Sequence, residues 1–293
     1  MTRVFSFVGL GCLGLLLGSI SGCNKTTSAD PLPNLEVAAT LRKGGAGGGA
    51  EAGPVSTGTG WGTIKGRFVY AGDPPKLEPL VMTKDKEMCG GGGTRPDESL
   101  VVGSDKGIAN VVLYVNKASR VFKPEDGSEP AAATPAVFDQ DKCIFLSHVL
   151  AVPTQEVLDI KNSDKVAHNT SFNPGGRNNS TNPQLPPGGE AKYKWQQAMG
   201  TPAEVTCSIH PWMKGYIIAR DDPYYAVTKP DGTFEIKNVP AGEDLEFRVW
   251  HERAPGGGLE AKPEWKKGRF KIKVPADGVE DLGEIAVPPT AFR

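Results

Sequence analysis

Beyond Trp61 the chain runs as short stretches of alternating or β-branched apolar residues, cut at close intervals by Gly, Pro, Asn and Asp. No stretch holds a long apolar period of 3.6 residues, so the pattern predicts an all-β fold. Candidate strands fall at 63–70, 109–115, 144–152, 156–161, 191–195, 203–207, 215–219, 233–236, 245–250 and 269–274, the 233–236 strand launched by the turn Pro230-Asp231-Gly232. Upstream, residues 26–60 are polar and small, and eight of the seventeen residues from 44 to 60 are glycine. Such a segment buries no core and predicts a flexible tether; taken from 23 to 60 it would span about 35 Å in the root-mean-square sense. The first residues differ again, with Arg3, an apolar run over 4–17, then the small residues before Cys23. This is the layout of a secretion signal. A transmembrane helix needs about 20 apolar residues, and this run is shorter and broken by Gly9, Gly11 and Gly14.

Ile20-Ser21-Gly22-Cys23 resembles the lipobox of bacterial lipoproteins. The resemblance implies removal of residues 1–22, diacylation of Cys23, and a mature chain held to a membrane by lipid. Asn24 after the cysteine, where an aspartate would retain the protein, implies the outer membrane in a cell that has one. The implied location is the cell envelope, periplasmic or cell-surface. The chain carries 33 basic and 34 acidic residues, and loss of Arg3 with the leader leaves a net charge near −2. That balance gives no argument for nucleic acid.

The five cysteines can then be assigned. Cys12 leaves with the leader, Cys23 takes lipid, and Cys207 sits among candidate metal ligands. Cys89 and Cys143 remain, and in an oxidising compartment they read as a disulfide, although two separate thiols would leave the same count.

The chemistry concentrates in Cys207-Ser208-Ile209-His210-Pro211-Trp212-Met213, with His168-Asn169 lying 39 residues upstream. Two residues between Cys207 and His210, and two more before Met213, let one short loop turn three side chains toward one ion, and His168 can add a fourth from a neighbouring strand. A thiolate, two imidazoles and a thioether suit mononuclear copper, the sulfurs favouring Cu(I) and the imidazoles also accepting Cu(II). Against this stand plainer readings: Cys207 as a buried thiol or as a partner of Cys89 or Cys143, and Met213 as core filling. His148 and His251 have no partner at ligand spacing and read as structural, while Asp221-Asp222 and Lys266-Lys267 read as solvated turn charges. Four histidines with no His-x-His pair exclude a trinuclear oxidase cluster, and the absence of a second loop cysteine excludes a dinuclear copper-A centre. Zinc could occupy three such ligands, but the loop offers no carboxylate for hydrolysis. No Gly-x-Ser-x-Gly elbow or phosphate-binding loop supports another enzyme class.

Residues 137–219 resemble the cupredoxins, and among them the amicyanin type, whose loop reads Cys-Thr-Pro-His-Pro-Phe-Met-x-Gly; Ile209 and Trp212 depart from it without removing a ligand. Ile160-Lys161-Asn162, the turn Ser163-Asp164, His168-Asn169 and Pro187-Gly188-Gly189 fit the same pattern. The resemblance implies a Greek-key β-sandwich holding one type 1 copper on His168, Cys207, His210 and Met213. It also implies that Asn169 ties the two ligand-bearing loops together. The run from Thr228 to Gly242 resembles carboxypeptidase-regulatory-like, transthyretin-type sandwiches, as do the strands near 62–69 and 109–115. The expected organisation is a leader at 1–22, a tether at 23–60, a sandwich built from 61–125 and 223–293, and a cupredoxin at 136–222 inserted into it. The function implied is one-electron transfer between redox proteins rather than catalysis. His210, Pro211 and Trp212 would form a small apolar docking patch. The competing expectations are a surface scaffold with a non-redox cupredoxin, and copper storage or delivery.

Overall fold

The computed structural model describes residues 58–90, 93–124 and 136–293. The expected leader, Cys23 and the expected tether up to residue 57 lie outside the described residues. The described chain is all-β. In chain order its strands are β1 (Trp61–Tyr70), β2 (Leu80–Val81), β3 (Thr94–Arg95), β4 (Val112–Val115), β5 (Val137–Asp141), β6 (Ile144–Phe145) and β7 (Val149–Pro153). There follow β8 (Val157–Asn162), β9 (His168–Asn169), β10 (Ser171–Phe172), β11 (Gln184–Leu185), β12 (Glu190–Lys194) and β13 (Ala203–Thr206). The last are β14 (Lys214–Arg220), β15 (Tyr225–Val227), β16 (Thr233–Pro240), β17 (Asp244–Trp250), β18 (Arg269–Lys273) and β19 (Val279–Val287). Among the described residues helix is confined to single turns, including Lys86–Cys89, and none is long enough to cross a membrane.

Two pairs of sheets enclose two cores. In one pair, the sheet β16-β1-β19 faces the sheet β15-β4-β17-β18 across Ile64, Phe68, Leu113, Phe247, Val249 and Ile285. In the other, β12-β8-β5-β6 faces β10-β13-β14-β7 across Phe138, Leu158, Ile160, Phe172, Val205 and Ile217. Strand β4 serves both cores. Its side chains alternate between the two faces, so Leu113 and Val115 enter the first core while Val112 and Tyr114 enter the second. All four are buried, which is why this segment reads as an unbroken apolar run rather than an alternating one.

The strand expectations hold where one face meets one core, and fail where the chain changes sheets. The expected strand at 144–152 divides into β6 and β7 with a bend over Leu146, Ser147 and His148. β6 pairs with β5 in one sheet and β7 with β14 in the other, so the chain must cross between layers there. The expected strand at 109–115 starts only at Val112 because Asn110 is left-handed, with φ 63°; asparagine tolerates that conformation better than most residues. Asp222 is not a solvated turn charge: it is buried beside Arg220, and its carboxyl titrates above the usual range, chiefly because burial penalises its charge.

Candidate metal centre

Strand β8 ends at Asn162, and this side chain builds the turn that follows. Its Nδ2 donates to the carbonyls of Val166, Leu185 and Pro186 at 2.9, 2.9 and 3.0 Å, while its Oδ1 accepts the Asp164 N–H at 3.0 Å. The turn delivers His168 to β9, where it pairs with Leu185 of β11. On the facing side, β13 and β14 are antiparallel neighbours, and residues 207–213 form the loop between them. That loop closes on itself through Met213 N–H to His210 O at 2.9 Å and Cys207 N–H to Met213 O at 3.4 Å.

Asn169 spans the two segments. Its Oδ1 accepts the Ser208 N–H and the Ser208 hydroxyl, both at 2.8 Å, and its own N–H points at Cys207 Sγ from 3.5 Å. Asn169→Ala removes both bonds to Ser208, whose backbone donor is only part-buried, and is expected to cost the metal-free protein about 0.5–1.5 kcal/mol in chemical denaturation. A loss below about 0.5 kcal/mol would show that the loop holds without it.

The result is a compact donor set. His168 Nδ1 and His210 Nδ1 face each other at 2.9 Å, and Cys207 Sγ is 3.9 Å from His168 Nδ1. Donor atoms of His168, Cys207 and His210 all lie within 4.8 Å of one another, and all three residues are buried. Met213 is buried as well, from the C-terminal end of the same loop.

Each outer nitrogen meets a carboxylate. His168 Nε2 meets Asp164 Oδ2 at 2.8 Å, and His210 Nε2 meets Asp85 Oδ2 at 2.9 Å. A carboxylate only accepts, so each Nε2 is placed to donate to one, which leaves each Nδ1 turned toward the other ring and the cysteine sulfur. Burial disfavours charge on Asp164, but hydrogen bonds from His168 and from the backbone of Cys143 and Lys165 outweigh it, and its carboxyl titrates below the usual range. Burial is also the main cause holding His168 below the usual histidine value, against the opposing pull of Asp164. Two Nδ1 atoms 2.9 Å apart call for a positive centre between them, either a shared proton or a metal ion. Two imidazoles and a thiol sulfur suit copper, and also zinc, among common ions.

The outward edge of His210 is not on the surface. Its side chain is 0 % exposed, so the expected docking patch shrinks to Pro211, which is exposed, and Trp212, which is partly covered. Trp212 instead donates its indole N–H to Cys143 O at 3.1 Å, with its ring 5.1 Å from that of His210. The cover over His210 is the segment around Asp85, and it is fastened by the Cys89–Cys143 disulfide, whose Cα atoms lie 5.1 Å apart. Both sulfurs sit within 4.8 Å of a ring nitrogen of His210.

The disulfide spans 54 residues. Converting both cysteines to serine is expected to cost about 2–4 kcal/mol, read as a lowered denaturation midpoint under non-reducing conditions; an unchanged midpoint would count against that role. The remaining histidines stand apart from the donor set. His148 forms a close contact with Glu252. His251 is buried, which with the nearby positive charges takes its pKa down to about 3 and keeps it neutral.

Neither a family model nor a curated protein matches the chain. Solved structures that match include amicyanins. A reduced Cu(I) form of a proline-to-glycine mutant at pH 4 is 20 % identical, covering 31 % of this chain and 87 % of that one at a TM-score of 0.27. An oxidised proline-to-glycine mutant is 17 % identical over 37 % of this chain and 98 % of that one, at a TM-score of 0.27. A Cu(I) methionine-to-alanine mutant is 19 % identical over 31 % and 87 %, again at 0.27.

Proposed function

We propose that His168, Cys207 and His210, with Met213 as a weak fourth ligand, hold one type 1 copper ion, and that the protein carries single electrons between redox proteins at the cell envelope. The observation that carries this reading is the pair of inward Nδ1 atoms 2.9 Å apart beside a buried cysteine sulfur. Bound there, copper would supply a one-electron couple between Cu(I) and Cu(II). The protein's own part is to hold donors that suit both states and keep water away from them. Asp164 and Asp85 fix the rings, Asn169 fixes the loop, and β13 and β14 fix the ends of the loop. The two carboxylates that reach the site are engaged by imidazole N–H groups, which leaves no general base for zinc hydrolysis.

In this reading strands β5–β14 form a cupredoxin domain inserted into a transthyretin-type sandwich made by β1–β4 and β15–β19. The chain is anchored by lipid on Cys23, with the tether giving it reach. One observation favours a second reading, a surface scaffold whose metal centre is structural: the edge of His210, the natural contact for a redox partner, is covered.

The test is addition of Cu(II) to the purified, disulfide-intact protein. An intense visible band from thiolate-to-copper charge transfer, reversibly bleached by a one-electron reductant, is the expected result. A colourless protein sinks the copper reading, and a coloured protein that cannot be cycled supports the scaffold.

A further inference from the structure

Resting on the copper reading, we propose that Asp85 is a positioning residue for His210: from a disulfide-fastened cap it holds the proton on Nε2, so that Nδ1 stays free for the metal. Asp85 belongs to none of the strands or loops that carry the ligands. It lies 125 residues before His210 in sequence, yet its Oδ2 stands 2.9 Å from His210 Nε2.

The cap is built to keep it there. Asp85 adopts a left-handed backbone with φ 48°, and its carbonyl accepts the N–H groups of Met88 and Cys89 at 3.0 and 2.8 Å. Cys89 is then bonded to Cys143, and the Arg95 guanidinium grips the carbonyls of both Cys89 and Lys142, the latter at 2.7 Å. The backbone that carries the carboxylate is thereby held beside the ring.

The alternative it prevents is specific. Without an acceptor at Nε2, the His210 proton gains by moving to Nδ1, where it can donate to the His168 Nδ1 lone pair 2.9 Å away. That internal hydrogen bond would use both nitrogens intended for the metal. His168 cannot make the reciprocal move as easily, because Asp164, itself bound by two backbone N–H groups, holds its Nε2 proton. A metal-bound imidazole whose far N–H is held by a carboxylate is a more basic and better oriented ligand. The same contact closes the outward edge of His210, so the cap and not the ring is what a docking partner meets over this ligand.

The experiment is a long-range proton–nitrogen NMR spectrum of the ¹⁵N-labelled, metal-free full chain, compared with Asp85→Ala and Asp85→Asn. In the unaltered protein His210 Nε2 is expected to be protonated. In Asp85→Ala the proton shifts toward Nδ1, and copper affinity falls about 10- to 100-fold, the usual effect of losing such a partner. Asp85→Asn, whose amide oxygen still accepts, is expected to keep the Nε2 proton. An unchanged tautomer in Asp85→Ala, or a bare Nε2 in the unaltered protein, overturns the proposal. Because the tautomer is read without metal, a chain that binds no copper defeats the functional reading, while the positions of the proton still decide this one.

Discussion

Cys207→Ala is expected to give a folded protein that takes up no colour. The visible band of the proposed centre comes from the thiolate, so removing that sulfur abolishes it completely, whereas loss of either imidazole would shift or weaken it. The variant should otherwise survive: Cys207 bridges no other cysteine, and the loop remains held by Asn169 through Ser208. A cost of about 1 kcal/mol to the metal-free protein is the ordinary expectation for a point change. The second readout is thermal. Copper held 1,000-fold above its dissociation constant stabilises the native state by about 4 kcal/mol, so the unaltered protein should melt higher with copper and Cys207→Ala should not. A variant that kept both the band and the thermal shift would place the metal elsewhere.

How much of this was legible before the fold was known follows the range of the interactions. Residues 207–213 are a local motif, so their spacing alone brings Cys207 and His210 together, and a second motif 39 residues away brings in His168. Counting cysteines pointed to Cys89 with Cys143 but left two separate thiols open, and the structure joins them. What counting could not convey is that this bridge lies against His210, because that depends on where the segment from Met82 to Cys89 settles. Asp85 left no pattern of its own; the one available clue was its place four residues before Cys89, which the bridge carries toward Cys143. Strand β19 was also missed, for a backbone reason. Opposite β1, the pairing steps from Lys65–Asp281 to Arg67–Glu284, so β19 holds one extra residue, and Gly283 sits there at φ 61°. A bulge of this kind flips the alternation partway along and hides the two-residue period. Asp222 was misread because nothing in the local sequence shows that Arg220, two residues earlier, is buried with it; only the meeting of two cores buries both.

That buried pair yields the largest expected change in stability. Arg220 ends β14, and its guanidinium donates to Met199 O and Val115 O at 2.8 Å each, lies 4.8 Å from the centre of the Tyr114 ring, and reaches Asp222 at 3.5 Å. It therefore joins the β13–β14 side of one core to β4, the strand shared with the other. Arg220→Ala removes these bonds and leaves the Asp222 carboxylate buried without its cation, a loss expected at about 3–5 kcal/mol from a total of about 5–15 kcal/mol for a domain. The pH dependence has a definite sign. The carboxyl of Asp222 already titrates above its ordinary 3.8, burial being the first cause and Arg220 the chief opposing one. Without the arginine it rises further, so the folded variant prefers the protonated acid. Its deficit is smallest near the ordinary carboxyl range and grows as pH rises through the elevated value. Asp222→Asn added to Arg220→Ala should recover part of the loss at neutral pH. Seven residues of β14 put Arg220 roughly 20 Å from the ligand loop, so the visible band of the folded copper-loaded variant should keep its position. Urea denaturation at two pH values checks the first claim; a deficit under about 1 kcal/mol, or one that grows on acidification, would mean that Arg220 is not the tie between the two cores.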